Sequence, residues 1–305
     1  MNTATLPSLT AQGVAIDTSP DAFGWLRDSN DARGDFDELR RRMDTDGYLF
    51  LPGFLDRDEV RSVRHGIAQQ FEREGILDPA FPTEEMVIRE GERMYFRPDI
   101  SNGNSRLQSV IYSERMMAFY SGLLAEPAMH YDYTWFRAVG PGYGTQPHCD
   151  VVYMGRGARE VYTAWVPFGD VPLHVGGLIV LEGSHRNPDL VEGYHLMDVD
   201  TACVNADRKS ELNAAGFDGF GALDSSVPNV QARYRQRLLT CPEYRMGDLL
   251  TFSIYTVHGA LDNQTRHIRI SSDSRYQRAS EPADERWIGE NPPAHGGQSI
   301  RELIC

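Results

Sequence analysis

Gln146-Pro147-His148-Cys149-Asp150-Val151-Val152-Tyr153 is the stretch on which the reading of this chain turns. Read as a strand, it sends side chains two apart to the same face, about 7 Å apart along the backbone, so His148 and Asp150 can converge on one metal while Cys149 points away. A third donor stands in Tyr255-Thr256-Val257-His258-Gly259, at the end of an apolar run that opens with the turn pair Gly247-Asp248. If that strand end lies beside the His148 strand, His258 completes a set of two imidazoles and one carboxylate. Such a set leaves coordination positions open and is associated with non-haem Fe(II) chemistry. A His-x-Asp pair alone carries little weight, because a histidine on an apolar strand is more often hydrogen-bonded core than ligand. The rest of the pattern gives it weight.

Eleven residues beyond His258 stands Arg269, inside His267-Ile268-Arg269-Ile270-Ser271-Ser272-Asp273. Ile268 and Ile270 take one face of a strand, and Arg269 and Ser271 the other, with His267 and Asp273 in the same row. A turn near Leu261–Gln264 and antiparallel pairing would bring Arg269 close to the strand that ends in His258. There a guanidinium fork grips a carboxylate bidentately, and the Ser271 hydroxyl adds a hydrogen bond. The competing reading is an ordinary surface arginine on a strand.

Around these motifs the chain reads as mainly β with flanking helices. Six short runs rich in β-branched and aromatic residues are separated by Gly and Pro: Tyr131–Val139, Pro147–Met154, Val161–Phe168, Gly177–Leu181, Asp248–Thr256 and His267–Tyr276. This spacing predicts an antiparallel sandwich or barrel in preference to alternating βα units. Ahead of them, Asp56 and Glu59 have the spacing of a capping box, and Val60, Val63, Ile67 and Phe71 recur at helical spacing, predicting a helix over 57–73. A second helix is expected around Ser113 to Leu124. Residues 1–35 read as a tail or loosely docked arm, and 36–305 as a single domain. Within it, residues 187–246 carry nine acidic and six basic residues and interrupt the β pattern. An insertion of that length is expected to be a lid or substrate-binding element.

Composition removes several classes. Of 305 residues, 30 are basic and 44 acidic, for a formal net charge of −14, and Lys209 is the single lysine. No glycine run precedes Arg208-Lys209-Ser210, so neither a phosphate-cradling loop nor a Schiff-base enzyme is expected. A chain this acidic shows no basic face for nucleic acid. No stretch approaches the roughly 20 apolar residues of a membrane span. Met1-Asn2-Thr3-Ala4-Thr5 lacks the basic start and apolar core of a secretory signal. The four cysteines are far apart, with no metal or redox pair, so the expected location is a reducing cytoplasm.

The ordered set of motifs resembles the phytanoyl-CoA dioxygenase family of Fe(II)/2-oxoglutarate oxygenases. The resemblance rests on His148-Cys149-Asp150, Thr163-Ala164-Trp165-Val166-Pro167, Gly176-Gly177-Leu178 leading into Glu182-Gly183-Ser184-His185-Arg186, Gly247-Asp248-Leu249-Leu250, His258 and Arg269. The opening from Asp46-Gly47-Tyr48 to Phe54 is also similar, so the likeness spans roughly residues 40 to 280. Cys149 stands where many relatives have glutamine, and Gly177 where many have proline.

The resemblance implies a double-stranded β-helix, or jelly-roll, cupin-like core. It further implies Fe(II) held by His148, Asp150 and His258, and 2-oxoglutarate and O2 as co-substrates, with the far carboxylate of 2-oxoglutarate on Arg269. The formal charges of iron, Asp150, co-substrate and Arg269 sum to zero, so burial of the cluster avoids an uncompensated charge. Ser271, Thr163, Trp165 and Tyr131 are the further candidates for the co-substrate pocket, with Trp165 equally readable as a core aromatic. Tyr133, Arg97, Tyr153 and Lys209 are candidate substrate contacts. His130, His174 and His185 are read as structural.

The implied reaction is oxidative decarboxylation of 2-oxoglutarate, giving succinate, CO2 and an oxidant able to take hydrogen from an unactivated carbon of a small molecule. The aspartate at position 150 argues for hydroxylation, desaturation or cyclisation, since halogenating relatives lack that carboxylate. Positive groups in 86–102 (Arg89, Arg93, Arg97) and in the insertion (Arg208, Lys209, Arg233, Arg235, Arg237) would suit a polar or anionic substrate if they wall the pocket; the competing reading is solvated charge. Two further readings remain: a zinc hydrolase on the same ligands, and a cupin-like binding module without turnover.

Overall fold

A computed structural model describes residues 8–101, 103–200 and 221–294. Its strands are β1 (Thr10–Ala11), β2 (Val14–Ala15), β3 (Phe23–Trp25), β4 (Tyr48–Leu51), β5 (Ala128–His130), β6 (Trp135–Val139) and β7 (Val161–Pro167). They continue with β8 (Val171–Pro172), β9 (Leu178–Leu181), β10 (Leu238–Thr240), β11 (Glu243–Tyr244), β12 (Leu249–Ser253), β13 (His258–Ala260) and β14 (Arg269–Arg278). The larger sheet runs β4-β12-β7-β14-β5, with β6 also paired to β14. The smaller runs β13-β9-β10-β3. Every pairing is antiparallel except β10 with β3.

Alternation along the strands of the larger sheet gives it two buried faces. The inner face carries Tyr48, Phe50, Leu250, Phe252 and Trp165, which pack on Leu178 and Val180 of β9 and Leu239 of β10, so this core lies between the two sheets. The outer face carries Leu49, Leu51, Leu249, Ala164, Val166, Ile270 and Phe136. Against it pack the apolar stripes of α1 (Phe36–Asp46), α2 (Arg57–Arg73), and a later helix, Glu114–Leu124. The α2 helix has the predicted bounds, and the Asp56 carboxylate accepts hydrogen bonds from the amides of Asp58 and Glu59. Glu114–Leu124 is likewise helical, with Ser113 as its cap.

Four expectations need correction. The stretch from Pro147 to Met154 is not a strand: His148 makes a single antiparallel bridge to His258, and the chain then turns at Asp150 (φ −67°, ψ −25°) into the short helix Val151–Met154. Carbonyl Asp150 accepts from the amides of Tyr153 and Met154, which starts that helical turn. Of the run Tyr131–Val139 only Trp135–Val139 is a strand, β6, and β5 lies ahead of the run at Ala128–His130. The strand ending in His258 does not pair with the Arg269 strand; β13 belongs to the smaller sheet and β14 to the larger. Finally, the described part of the N-terminal arm is packed, not loose. Leu9, Ala11, Ile16 and Phe23 are buried, β3 lies on β10, and the Asp262 carboxylate accepts from the amides of Gln12, Gly13 and Gly144.

Candidate metal and co-substrate site

The turn at Asp150 builds the metal cluster. One ligand atom each from His148, Asp150 and His258 lies within 4.8 Å of the others, and all three residues are buried. Each imidazole uses Nδ1 to donate to a backbone carbonyl, His148 to Gln146 at 2.8 Å and His258 to Thr256 at 3.0 Å. That fixes the tautomer and leaves both Nε2 lone pairs aimed at the centre. Asp150 Oδ1 is 3.9 Å from each Nε2. Its other oxygen, Oδ2, accepts from Arg275 Nη2 at 2.9 Å and from the Thr163 hydroxyl. The carboxylate thus offers one oxygen to a metal while two donors hold the second.

Burial pushes the His148 imidazole down to about 3, and burial lowers His258 as well. Burial alone would raise the Asp150 carboxyl, but Arg275, His258 and His148 together hold it well below the usual carboxylate range. Neutral imidazoles beside an ionised carboxylate are the protonation states that a divalent cation requires.

A second group of polar atoms lies on the same inner face. Along β14 the inward row is Arg269, Ser271, Asp273, Arg275 and Gln277. Arg269 is 2% exposed, yet its Nε and Nη1 meet no hydrogen-bond acceptor, and neither do Trp165 Nε1 or Ser271 Oγ find partners. Burial, with Arg137 nearby, lowers the Arg269 guanidinium to about 10. Buried donors without acceptors are costly, so a group left this way in a folded core is one that a ligand satisfies. A guanidinium, an indole N–H and a hydroxyl on one sheet face suit a dicarboxylate, so the residues present fit 2-oxoglutarate.

The remaining sequence candidates separate. The Thr163 hydroxyl donates to Asp150, a candidate metal ligand. The Tyr131 amide donates to the Arg275 carbonyl at 3.0 Å. That puts Tyr131 six residues along β14 from Arg269, about 20 Å of strand, so it does not belong to the co-substrate end. Tyr133 and Tyr153 line a cavity of about 920 Å³ that opens on His148 and Asp150. Arg97 does not reach it: Glu74 and Asp99 hold its guanidinium, which lies over Phe71. Lys209 lies outside the described residues. From 86–102 the cavity takes the aromatic Tyr95 and Phe96 and none of the arginines. The described part of the insertion contributes Ala222 and Ser225, with the Leu223 amide donating to the Pro147 carbonyl beside His148.

Arg137, Arg275, Trp135 and Trp287 are among the cavity residues that sequence reasoning missed. Two signals were available. The polar alternation of β14 continues past Asp273 to Arg275, and on β6 Trp135 and Arg137 alternate with the buried Phe136 and Ala138.

An antiparallel two-sheet barrel holding a His-Asp-His cluster and an inward arginine defines the double-stranded β-helix class of iron oxygenases. The model of the phytanoyl-CoA dioxygenase (PhyH) family matches residues 43–271, and the chain belongs to that family. It is a non-haem Fe(II)- and 2-oxoglutarate-dependent oxygenase. Its relatives include the 1-deoxypentalenic acid 11-beta-hydroxylases of Streptomyces exfoliatus and Streptomyces arenae. The first is 25% identical over 264 residues, covering 81% of this chain and 82% of the relative. The second is 23% identical over 271 residues, covering 85% and 87%. Among solved structures, the non-heme alpha-ketoglutarate-dependent carbocyclase SnoK from nogalamycin biosynthesis superposes with a TM-score of 0.57 at 17% identity, covering 88% of this chain and 90% of that one. EctD from S. alaskensis, solved with 2-oxoglutarate and 5-hydroxyectoine, superposes with a TM-score of 0.54 at 18% identity, covering 90% and 86%. These likenesses carry the fold. Among the described residues no helix is long and apolar enough to cross a membrane.

Proposed function

We propose that this protein hydroxylates an unactivated C–H bond of a small-molecule metabolite, with decarboxylation of 2-oxoglutarate to succinate and CO2. The observation that carries the reading is the Asp150 carboxylate, buried and presenting Oδ1 to the same point as both histidine Nε2 atoms. His148, Asp150 and His258 would hold the iron, and Arg269 with Ser271 and Trp165 would hold the far carboxylate of 2-oxoglutarate. When bound, iron and 2-oxoglutarate together reduce O2 and supply the oxidising power that breaks the C–H bond.

The chain's own residues bind, orient and exclude water. The carbonyls of Gln146 and Thr256 fix the histidine tautomers, and Arg275 and Thr163 fix the Asp150 carboxylate. Phe252 packs 4.5 Å from the His258 ring and Tyr153 stands edge-on to His148 at 5.6 Å, keeping the cluster dry on those sides. Desaturation or cyclisation requires the same residues, and which outcome follows depends on the carbon that the cavity presents. A zinc hydrolase would have no use for the unpartnered donors of Arg269, Trp165 and Ser271.

The test is anaerobic addition of Fe(II) and then 2-oxoglutarate to the protein, watched for a weak visible charge-transfer band. The band is expected in the intact protein and absent in His148→Ala. No band in the intact protein, or an undiminished one in the variant, would sink the proposal. O2-dependent succinate formation then separates an oxygenase from a binding module.

A further inference from the structure

The cavity in front of the metal ligands carries charge that the co-substrate does not use. Among the described residues, its charged lining comprises Arg137, Arg275 and the metal ligand Asp150. Arg275 gives Nη2 to Asp150 and lies over the Trp135 ring at 4.4 Å, with Nε and Nη1 buried and unpartnered among the described residues. Arg137 is committed at one edge only: Nε donates to Asp273 Oδ2 at 3.1 Å. Its side chain remains 19% exposed, and the two Nη groups have no acceptor among the described residues. The rings of Tyr95 and Phe96 flank that guanidinium, each centroid 5.9 Å from Cζ.

The charge balance points the same way, given the reading of the site above. Iron, Asp150, 2-oxoglutarate and Arg269 sum to zero, and Arg137 is offset by Asp273. Arg275, whose side chain is 4% exposed, is then a surplus positive charge. An uncompensated buried charge is costly, and a monoanionic ligand removes the cost. Another wall of the cavity is an aromatic box: the Tyr133 ring is 4.6 Å from Trp135 and 5.2 Å from Trp287, and the two indoles are 4.6 Å apart.

We infer that the substrate is an apolar small molecule bearing a single carboxylate. The open Nη edge of Arg137 takes the carboxylate, and the carbon skeleton lies on the Tyr133–Trp135–Trp287 box. The anionic character expected from the arginines at 86–102 and in the insertion thus falls instead to an arginine on β6.

The experiment compares adamantane-1-carboxylate with adamantane-1-carboxamide, probes of matched shape, by anaerobic calorimetry on the enzyme loaded with Fe(II) and 2-oxoglutarate. The carboxylate is expected to bind at least about 10-fold more tightly, as a charge-assisted hydrogen-bonded pair requires. Arg137→Gln should erase that preference and Arg137→Lys keep part of it, with 2-oxoglutarate affinity in both within about 3-fold of the parent. Equal binding of the two probes, or binding of neither, overturns the inference. So does a loss of 2-oxoglutarate affinity in Arg137→Gln as large as in Arg269→Gln, which would assign Arg137 to the co-substrate. Failure of the underlying reading shows separately, as a missing charge-transfer band before any probe is added.

Discussion

β14 has two buried faces, and they do different work. The outer face, Ile270, Ser272, Ser274 and Tyr276, meets the helical layer: Tyr276 stacks on Tyr120 at 3.8 Å, and its hydroxyl donates to the carbonyl of Ile111. The inner face, Arg269, Ser271, Asp273, Arg275 and Gln277, meets the space between the sheets. Both faces have hydroxyls without partners, but only the inner one leaves guanidinium nitrogens so, on Arg269 and Arg275. A hydroxyl can rotate and costs little; a buried cation with idle donors is expensive. The outer face therefore leaves only hydroxyls idle, whereas the inner face leaves buried cationic donors that the proposed co-substrate would satisfy.

The strongest way to break this contrast is to remove the acid that anchors the inner face. Asp150→Ala deletes the one carboxylate of the metal cluster and leaves Arg275 without its partner, so iron binding should be lost outright, read as iron content after anaerobic loading and desalting. Retained stoichiometric iron would separate the cluster from function. The histidines add a pH dependence in the metal-free protein. Burial holds His148 at about 3, below the ordinary value of 6.5. Below pH 6.5 the unfolded chain therefore takes up a proton that the folded chain refuses, and stability should fall continuously as pH drops from 6.5 toward 3. A melting temperature flat over that range would contradict the burial of a neutral imidazole.

Next in size is the outer face. Ile270→Ala empties a site with no exposure and should destabilise the fold by about 2–5 kcal/mol in denaturant unfolding. The folded variant should bind 2-oxoglutarate as the parent does. Coupled loss of both would mean that the two faces cannot be separated. The matching inner change is Arg269→Gln, expected to weaken 2-oxoglutarate binding about 100-fold, or about 2.7 kcal/mol, with iron binding nearly unchanged. Equal loss of iron and 2-oxoglutarate would make Arg269 a structural arginine.

The sequence carried much of this contrast. Candidate metal ligands announce themselves by residue type, so the convergence of His148, Asp150 and His258 was legible although the strand assumed for the first two is a turn; a bridge followed by a helical turn still brings their ligand atoms together. Arg269 was legible because a strand repeats every two residues. Its placement in a different sheet from His258 was not, because local spacing cannot tell a hairpin from strands in separate sheets. The substrate arginines failed for a different reason. Arg97 is a conspicuous positive charge, but Glu74 and Asp99 lie within its reach, and the sequence does not show which charges are already neutralised. The arm before residue 36 was misjudged because its few apolar residues, Leu9, Ala11, Ile16 and Phe23, have no periodicity, and only the assembled sheets provide the surface that buries them.

Arg275 sharpens the comparison at its finest point, since two effects oppose each other there. Its guanidinium lies 2.9 Å from Asp150 Oδ2, so its charge disfavours a nearby cation, while its hydrogen bond, with that of Thr163, leaves Oδ1 facing the histidines. Orientation should win, because outer contacts of this kind commonly change metal affinity by about 10- to 100-fold. Arg275→Met, which removes both donor and charge, is expected to weaken Fe(II) binding about 10-fold, or about 1.4 kcal/mol, and Arg275→Gln, which keeps an N–H donor, should recover part of it. The guanidinium also helps hold the Asp150 carboxyl below its ordinary range, so in the methionine variant protons should compete with iron at higher pH than in the parent. Tighter iron binding in both variants, with no shift of that pH profile, would mean that charge repulsion outweighs orientation and that Arg275 belongs to the substrate cavity alone.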